Sequence, residues 1–171
     1  ISMQDMDHVI DVAQEMKNVK FIGLHFHIGS QILDMGDFVA LCNRVNELLD
    51  KLEARQIRIE HVNVGGGLGI DYGHPNRQPV PDFKSYFETY DNCLNLRSYQ
   101  TLHFELGRSV VGQCGSLIAK VLYVKQGTNK QFAILDAGMT DLIRPALYQA
   151  FHKIENITSD APQQTLSLIH I

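Results

Sequence analysis

The chain has 171 residues, 44% of them apolar and 20% charged, with a formal net charge of −4. That length supports a sizeable core but falls short of the about 250 residues of a complete eight-stranded βα barrel. The acidic balance disfavours nucleic acid as a main partner; no apolar run approaches the roughly 20 residues that span a bilayer; and Ile1–Lys20 carries acidic side chains where a secretory leader needs an apolar stretch.

The first predicted element is a helix over Ser2–Lys17, with Ser2 as its cap and an apolar stripe of Met6, Val9, Ile10, Ala13 and Met16. A strand follows over Val19–His27. Its alternation puts Ile22, Leu24 and Phe26 on one face and Phe21, Gly23, His25 and His27 on the other. In a barrel the first set packs on helices and the second faces inward, where Gly23 leaves room for something bulky. His25, one layer deep, reads as a satisfied interior histidine. His27 closes the strand ahead of Ile28-Gly29-Ser30, where a glycine frees the backbone and a hydroxyl is available to a phosphate.

Asp37–Arg55 carries the clearest helical period, with Phe38, Leu41, Cys42, Val45, Leu48, Leu49 and Leu52 on one face and Asp37 as cap. Ile57–Val64 reads as a strand that ends in Gly65-Gly66-Gly67-Leu68-Gly69. The polar loop Gly69–Pro81 is longer than most connections, which suits an active-site or interface loop. Asp82 caps a further helix to about Arg97, and Thr101–Leu106 is the next strand. After Arg108 the pattern changes. Leu117–Lys125 and Gln131–Leu135 are β-like runs around a turn at Gly127-Thr128-Asn129-Lys130, with no helix of barrel length between them. The expected organisation is α/β: a partial TIM (β/α)8 barrel, its later βα units, over residues 1–111, then the start of a β-rich C-terminal domain over 112–160. Residues 161–171 form a tail in which Thr165–Ile171 reads as non-native sequence.

Three motifs each follow a predicted strand: His27 to Ser30, Gly65 to Gly69, and Glu105-Leu106-Gly107-Arg108. From His27 to Gly65 is 38 residues and from Gly65 to Glu105 is 40, about one βα unit each. Barrels of this kind place their sites at the ends of the strands. The glycine run fails the dinucleotide fingerprint G-x-G-x-x-G, because Ile70 stands where the last glycine belongs. Its exposed backbone N–H groups still suit a phosphate; a tight strand-to-loop turn is the alternative. Glu105 suits the protonated nitrogen of a pyridine ring and Arg108 a phosphate or carboxylate, against the alternative of a local ion pair. Further on, Arg144 and Tyr148 lie four apart, so one helical turn sets them on one face as a carboxylate site; a surface arginine and a packed tyrosine are the alternative. Cys42, Cys93 and Cys114, odd in number and widely spaced, read as reduced thiols of a cytoplasmic protein. The eight histidines show no Cys/His spacing for zinc, and no metal is expected.

Taken together, Gly23–Gln31 (GLHFHIGSQ), Asn63–Tyr72 (NVGGGLGIDY), Glu105–Val111 (ELGRSVV) and Asp136–Tyr148 (DAGMTDLIRPALY) resemble the fold-type III pyridoxal-phosphate decarboxylases, and among them the branch that acts on diaminopimelate. The last stretch separates that branch from relatives acting on ornithine and arginine. The resemblance implies pyridoxal 5'-phosphate as cofactor, His27 on its ring, Ser30 and Gly65, Gly66 and Gly67 on its phosphate, and Glu105 on its pyridine nitrogen. The cofactor-binding turn would include Leu106 and Gly107. Arg108 would serve phosphate and substrate, and Arg144 and Tyr148 the carboxylate of a small amino-acid substrate. The implied reaction converts meso-2,6-diaminopimelate to L-lysine in a homodimer; a relative acting on carboxynorspermidine, ornithine or arginine, or a non-catalytic cofactor-binding homologue, is the alternative. Leu106 departs from the family's usual proline. The family's cofactor-bonding lysine belongs before Ile1 and its Cys-Glu motif after this chain. The chain is therefore expected to be an internal piece, with no catalytic residue of its own and no activity alone.

Overall fold

The computed structural model describes residues 1–159 and the backbone of Ser167–His170. Residues 160–166 and 171 lie outside the described residues, and most of the expected tail with them. The elements run α1 (Met6–Glu15), β1 (Gly23–His25), α2 (Met35–Ala54), β2 (His61–Asn63), α3 (Phe83–Cys93), β3 (Thr101–His103), α4 (Arg108–Val111), β4 (Val121–Gln126), β5 (Gln131–Leu135), α5 (Arg144–Tyr148) and β6 (Ser167–His170). They fall into two compact units. The first holds Ile1–Ile70 and Val80–Gly112; the second holds Asp71–Pro79 and the residues from Gln113 on.

The first unit is built on a parallel sheet in the order β1-β2-β3, with α2 returning the chain from β1 to β2 and α3 from β2 to β3. Register aligns Gly23 with His61 and Thr101, Leu24 with Val62 and Leu102, and His25 with Asn63 and His103. Alternation therefore sends Leu24, Val62 and Leu102 to one face, where α2 and α3 cover them. The helical stripe of α2 is buried as its period requires: Phe38, Leu41, Cys42, Val45, Leu48, Leu49 and Leu52 all lie in the core. The Phe38 ring meets Tyr86 edge-on at 4.9 Å, and Tyr90 meets Phe104 at 5.1 Å. Truncating a fully buried ring such as Phe38 to alanine costs about 3–5 kcal/mol. Burial also pushes the Cys42 thiol up to about 11. Asn46 of α2 fastens the end of α3, donating to the Cys93 carbonyl and accepting from the Asn95 N–H, both at 2.8 Å.

Several local expectations are corrected. The cap of α2 is Asp34, which accepts from the Gly36 N–H at 2.8 Å; Asp37 lies in the first turn, where its charge still faces the helix's positive end. The helix α1 begins at Met6, after a turn in which Ser2 accepts from the Asp5 N–H. The strands are shorter than their apolar runs, because pairing before β1 is irregular: the Ile22 carbonyl takes both the Glu60 and His61 N–H groups. Gly23 does not open space. A Cβ there would lie 2.2 Å from the His61 carbonyl oxygen, so the glycine permits close approach of β2. His25 lies on the sheet face opposite the helices, half-exposed in this chain, with its Nε2 3.1 Å from Glu105.

In the second unit β4 and β5 pair antiparallel through the turn at Gly127, and β6 lies parallel to β5. The apolar run expected to start at Leu117 pairs regularly only from Val121, with a register shift between Val121 and Tyr123. Asp136 ties down the preceding segment by accepting from the Lys120 N–H at 2.7 Å.

Candidate cofactor site

The parallel ladder runs on past the regular strands and carries the three motifs with it. Phe26 N–H donates to the Asn63 carbonyl at 2.8 Å, Val64 N–H to His103 at 3.0 Å, and Glu105 N–H to Gly65 at 2.7 Å. The segments after β1, β2 and β3 thus leave the sheet side by side at one end. His27 and Ser30 are exposed there, as is Glu105, while Gly65 and Gly66 are buried between their neighbours.

The glycines are required by that packing. Gly65 has φ +70, and a Cβ would sit 2.3 Å from the Phe26 carbonyl and 3.1 Å from His27 Nδ1. A Cβ at Gly66 would sit 2.2 Å from the Glu105 carbonyl. Side chains here would push the three strand ends apart. The loop after β2 is stitched to the loop after β1, Ile32 N–H donating to Gly67 and Gly69 N–H to Ile32, each at 2.9 Å. Among the described residues the N–H groups of Gly66 and Gly67 have no protein acceptor. Two adjacent unpaired backbone donors beside an imidazole are a fitting seat for an anion.

Glu105 reaches over the middle strand. Its carboxylate accepts from Asn63 Nδ2 at 2.9 Å, and its other oxygen lies 3.1 Å from His25 Nε2. Asn63 in turn accepts the Gly65 N–H on its own Oδ1 at 2.8 Å. Arg108 opens α4 and donates to Gln31 Oε1 at 2.9 Å. Gln31, in the left-handed conformation at φ +64, also donates to the Ile70 carbonyl at 2.5 Å. Leu106 packs against the core between Glu105 and the exposed Gly107.

Arg144 and Tyr148 belong to the second unit, at the two ends of α5. Tyr148 is exposed. The Arg144 guanidinium donates to the Tyr72 hydroxyl and lies 5.1 Å from the centre of the Tyr72 ring, which meets His152 edge-on at 5.2 Å. In the adjoining loop the N–H groups of His74 and Gly73 hold the Asp71 carboxyl below its usual range. Gln31, Asn63 and Tyr72 are the contacts that sequence reasoning did not assign; each joins residues distant along the chain.

A flat ring, a pair of free backbone donors and an oriented carboxylate at one sheet end can hold a phosphorylated nitrogen heterocycle. The comparisons with known proteins point the same way. The family model "pyridoxal-dependent decarboxylase, pyridoxal binding domain" matches residues 1–112. Diaminopimelate decarboxylase of Bacteroides thetaiotaomicron is 82% identical over 99% of this chain, and that of Neisseria meningitidis serogroup B is 39% identical over 99%. The chain spans less than half the length of these relatives, 44% and 40%. The crystal structure of diaminopimelate decarboxylase from Helicobacter pylori complexed with L-lysine superposes with a TM-score of 0.84 at 32% identity, covering 98% of this chain and 41% of that one. Among the described residues no helix is long and apolar enough to cross a membrane, and no group of His, Cys, Asp and Glu is placed to hold a metal.

Proposed function

This chain belongs to the pyridoxal-dependent decarboxylase family, and from that premise we propose that the protein carrying it removes carbon dioxide from meso-2,6-diaminopimelate to give L-lysine. The observation that carries the reading is the meeting, at one end of three adjacent parallel strands, of His27, the Gly65–Gly67 loop and Glu105. The residues present fit pyridoxal 5'-phosphate: free N–H groups at Gly66 and Gly67 suit its phosphate, and an oriented carboxylate suits its ring nitrogen.

When bound, the cofactor supplies an electron-withdrawing ring that takes up the charge left by the departing carboxylate. In this reading His27 lies against the ring face, and Ser30 joins the glycine loop on the phosphate. Glu105 holds the proton on the ring nitrogen, which sustains that electron demand. Leu106 and Gly107 shape the turn that presents Arg108 to phosphate and substrate. Arg144 and Tyr148 take the carboxylate of the substrate. The parallel sheet would be three consecutive strands of an eight-stranded βα barrel over residues 1–111, with residues 112–160 starting a β-rich domain. The protein would act as a cytoplasmic homodimer.

The test is a substrate panel. Full-length protein supplied with pyridoxal phosphate should release carbon dioxide from meso-diaminopimelate with L-lysine as product, and turn over ornithine, arginine and carboxynorspermidine at least tenfold less efficiently, a difference of about 1.4 kcal/mol in transition-state binding. A preference for any of those three, or no turnover of any, overturns it.

A further inference from the structure

We propose that His25 and Asn63 are positioning residues that aim the Glu105 carboxylate, and that Asn63 couples its position to the glycine loop. The inference rests on the reading of Glu105 as the partner of the cofactor's ring nitrogen. Three strands supply the parts. Register places His25 and Asn63 side by side on β1 and β2, on the sheet face opposite the helices. Glu105, two residues beyond His103 on the same face, leans back across Asn63 toward His25.

Each carboxylate oxygen has its own partner: Asn63 Nδ2 at 2.9 Å on Oε1 and His25 Nε2 at 3.1 Å on Oε2. An ionised carboxylate only accepts, so this arrangement needs the imidazole tautomer with hydrogen on Nε2. The Asn63 amide cannot flip without losing both bonds, because its Oδ1 takes the Gly65 N–H at 2.8 Å. Within this chain the pair adds little to folding. His25 and Glu105 are 55% and 54% exposed, and pairs that exposed contribute little to folding. What the contacts do is hold a three-torsion side chain in one orientation at the mouth of the site, with Asn63 fixed to the same loop that offers its N–H groups to a phosphate. Shifts of the loop and of the carboxylate are thereby linked.

The test uses the full-length protein and two readouts: equilibrium dialysis of the apoenzyme against pyridoxal 5'-phosphate, and the nitrogen-15 chemical shift of the bound cofactor labelled at its ring nitrogen. Glu105→Gln should weaken binding about tenfold or more and move the resonance toward the unprotonated position. His25→Leu and Asn63→Leu should each do the same in part, and His25→Gln, which keeps a donor, should recover most of the loss. Adding His25→Leu to Glu105→Gln should cost nothing further, because its effect passes through the carboxylate. If Glu105→Gln leaves the resonance and affinity unchanged, the reading of Glu105 fails. If Glu105→Gln acts but His25→Leu and Asn63→Leu leave the resonance in place, or the double variant adds the separate losses, the positioning role is overturned. Melting curves of the apo variants identify any that fail to fold; Asn63→Asp, which puts a repelling carboxylate beside Glu105 without a large change of shape, then decides by the same shift: a resonance left in place overturns the positioning role.

Discussion

At the scale of single residues, Arg144 carries the sharpest functional consequence. Its guanidinium is braced by the Tyr72 hydroxyl and ring rather than by its helical neighbour Tyr148. If Arg144 takes the substrate carboxylate as proposed, Arg144→Ala in the full-length protein should raise KM for diaminopimelate by about tenfold or more, with a smaller change in kcat, because a charge-assisted contact would be lost. Tyr72→Phe should raise KM less, by releasing the brace; steady-state kinetics over a range of diaminopimelate concentrations measures both. An unchanged KM in Arg144→Ala contradicts the role. That the three motifs meet at one sheet end was legible in the sequence, because each sits in a short run directly after a strand and the strands recur at a βα spacing. The partners of their residues were not. Asn63 meets Glu105 across 42 positions, Gln31 meets Arg108 across 77, and Tyr72 meets Arg144 across 72. No local pattern encodes which distant side chain fills a donor. The partner of His25 was hidden for the same reason: alternation gives its face, but Glu105 lies 80 positions on.

At the scale of elements, the period of α2 predicted its buried face residue for residue, since seven apolar positions at helical spacing have one way to reach a core. The caps were legible where a single acid precedes the helix. Asp82 caps α3, accepting from the Ser85 N–H at 2.9 Å, whereas Asp34 and Asp37 compete at the start of α2 and local geometry decides for Asp34. The Ser85 hydroxyl and N–H hold the Asp82 carboxyl below its usual 3.8. A carboxyl with a depressed folded value contributes stability above its unfolded value and loses it as pH falls through the folded one. Asp82→Ala should therefore speed amide hydrogen exchange in the first turn of α3 at neutral pH, and the difference from the parent protein should shrink as pH drops below about 3.8. A difference that stays constant across that range contradicts the charged cap. The short helix α4 and the addition of β6 to β5 had no sequence signature: four residues after Gly107 are too few to show a period, and strand pairing across the second unit is a choice of partner.

At the scale of the whole molecule, the repeat of strand, helix and strand at a step of about 40 residues made the parallel sheet legible, because a parallel pair needs a crossover of this kind. The polar loop from Gly69 to Pro81 is where the sequence says least about contacts and where Val80 is exposed. If this loop contributes to a homodimer interface, Val80→Asp should shift the full-length protein toward monomer in sedimentation velocity, and an unchanged sedimentation coefficient contradicts that placement. In the proposed function the strand ends of the first unit hold pyridoxal 5'-phosphate through its two ends at once. A crystal structure of the full-length protein with the cofactor bound tests it most directly. The phosphate is expected on the N–H groups of Gly66 and Gly67, and the ring nitrogen within about 2.6–3.2 Å of the Glu105 carboxylate. A cofactor seated with its phosphate away from this loop, or its ring nitrogen out of reach of Glu105, contradicts it.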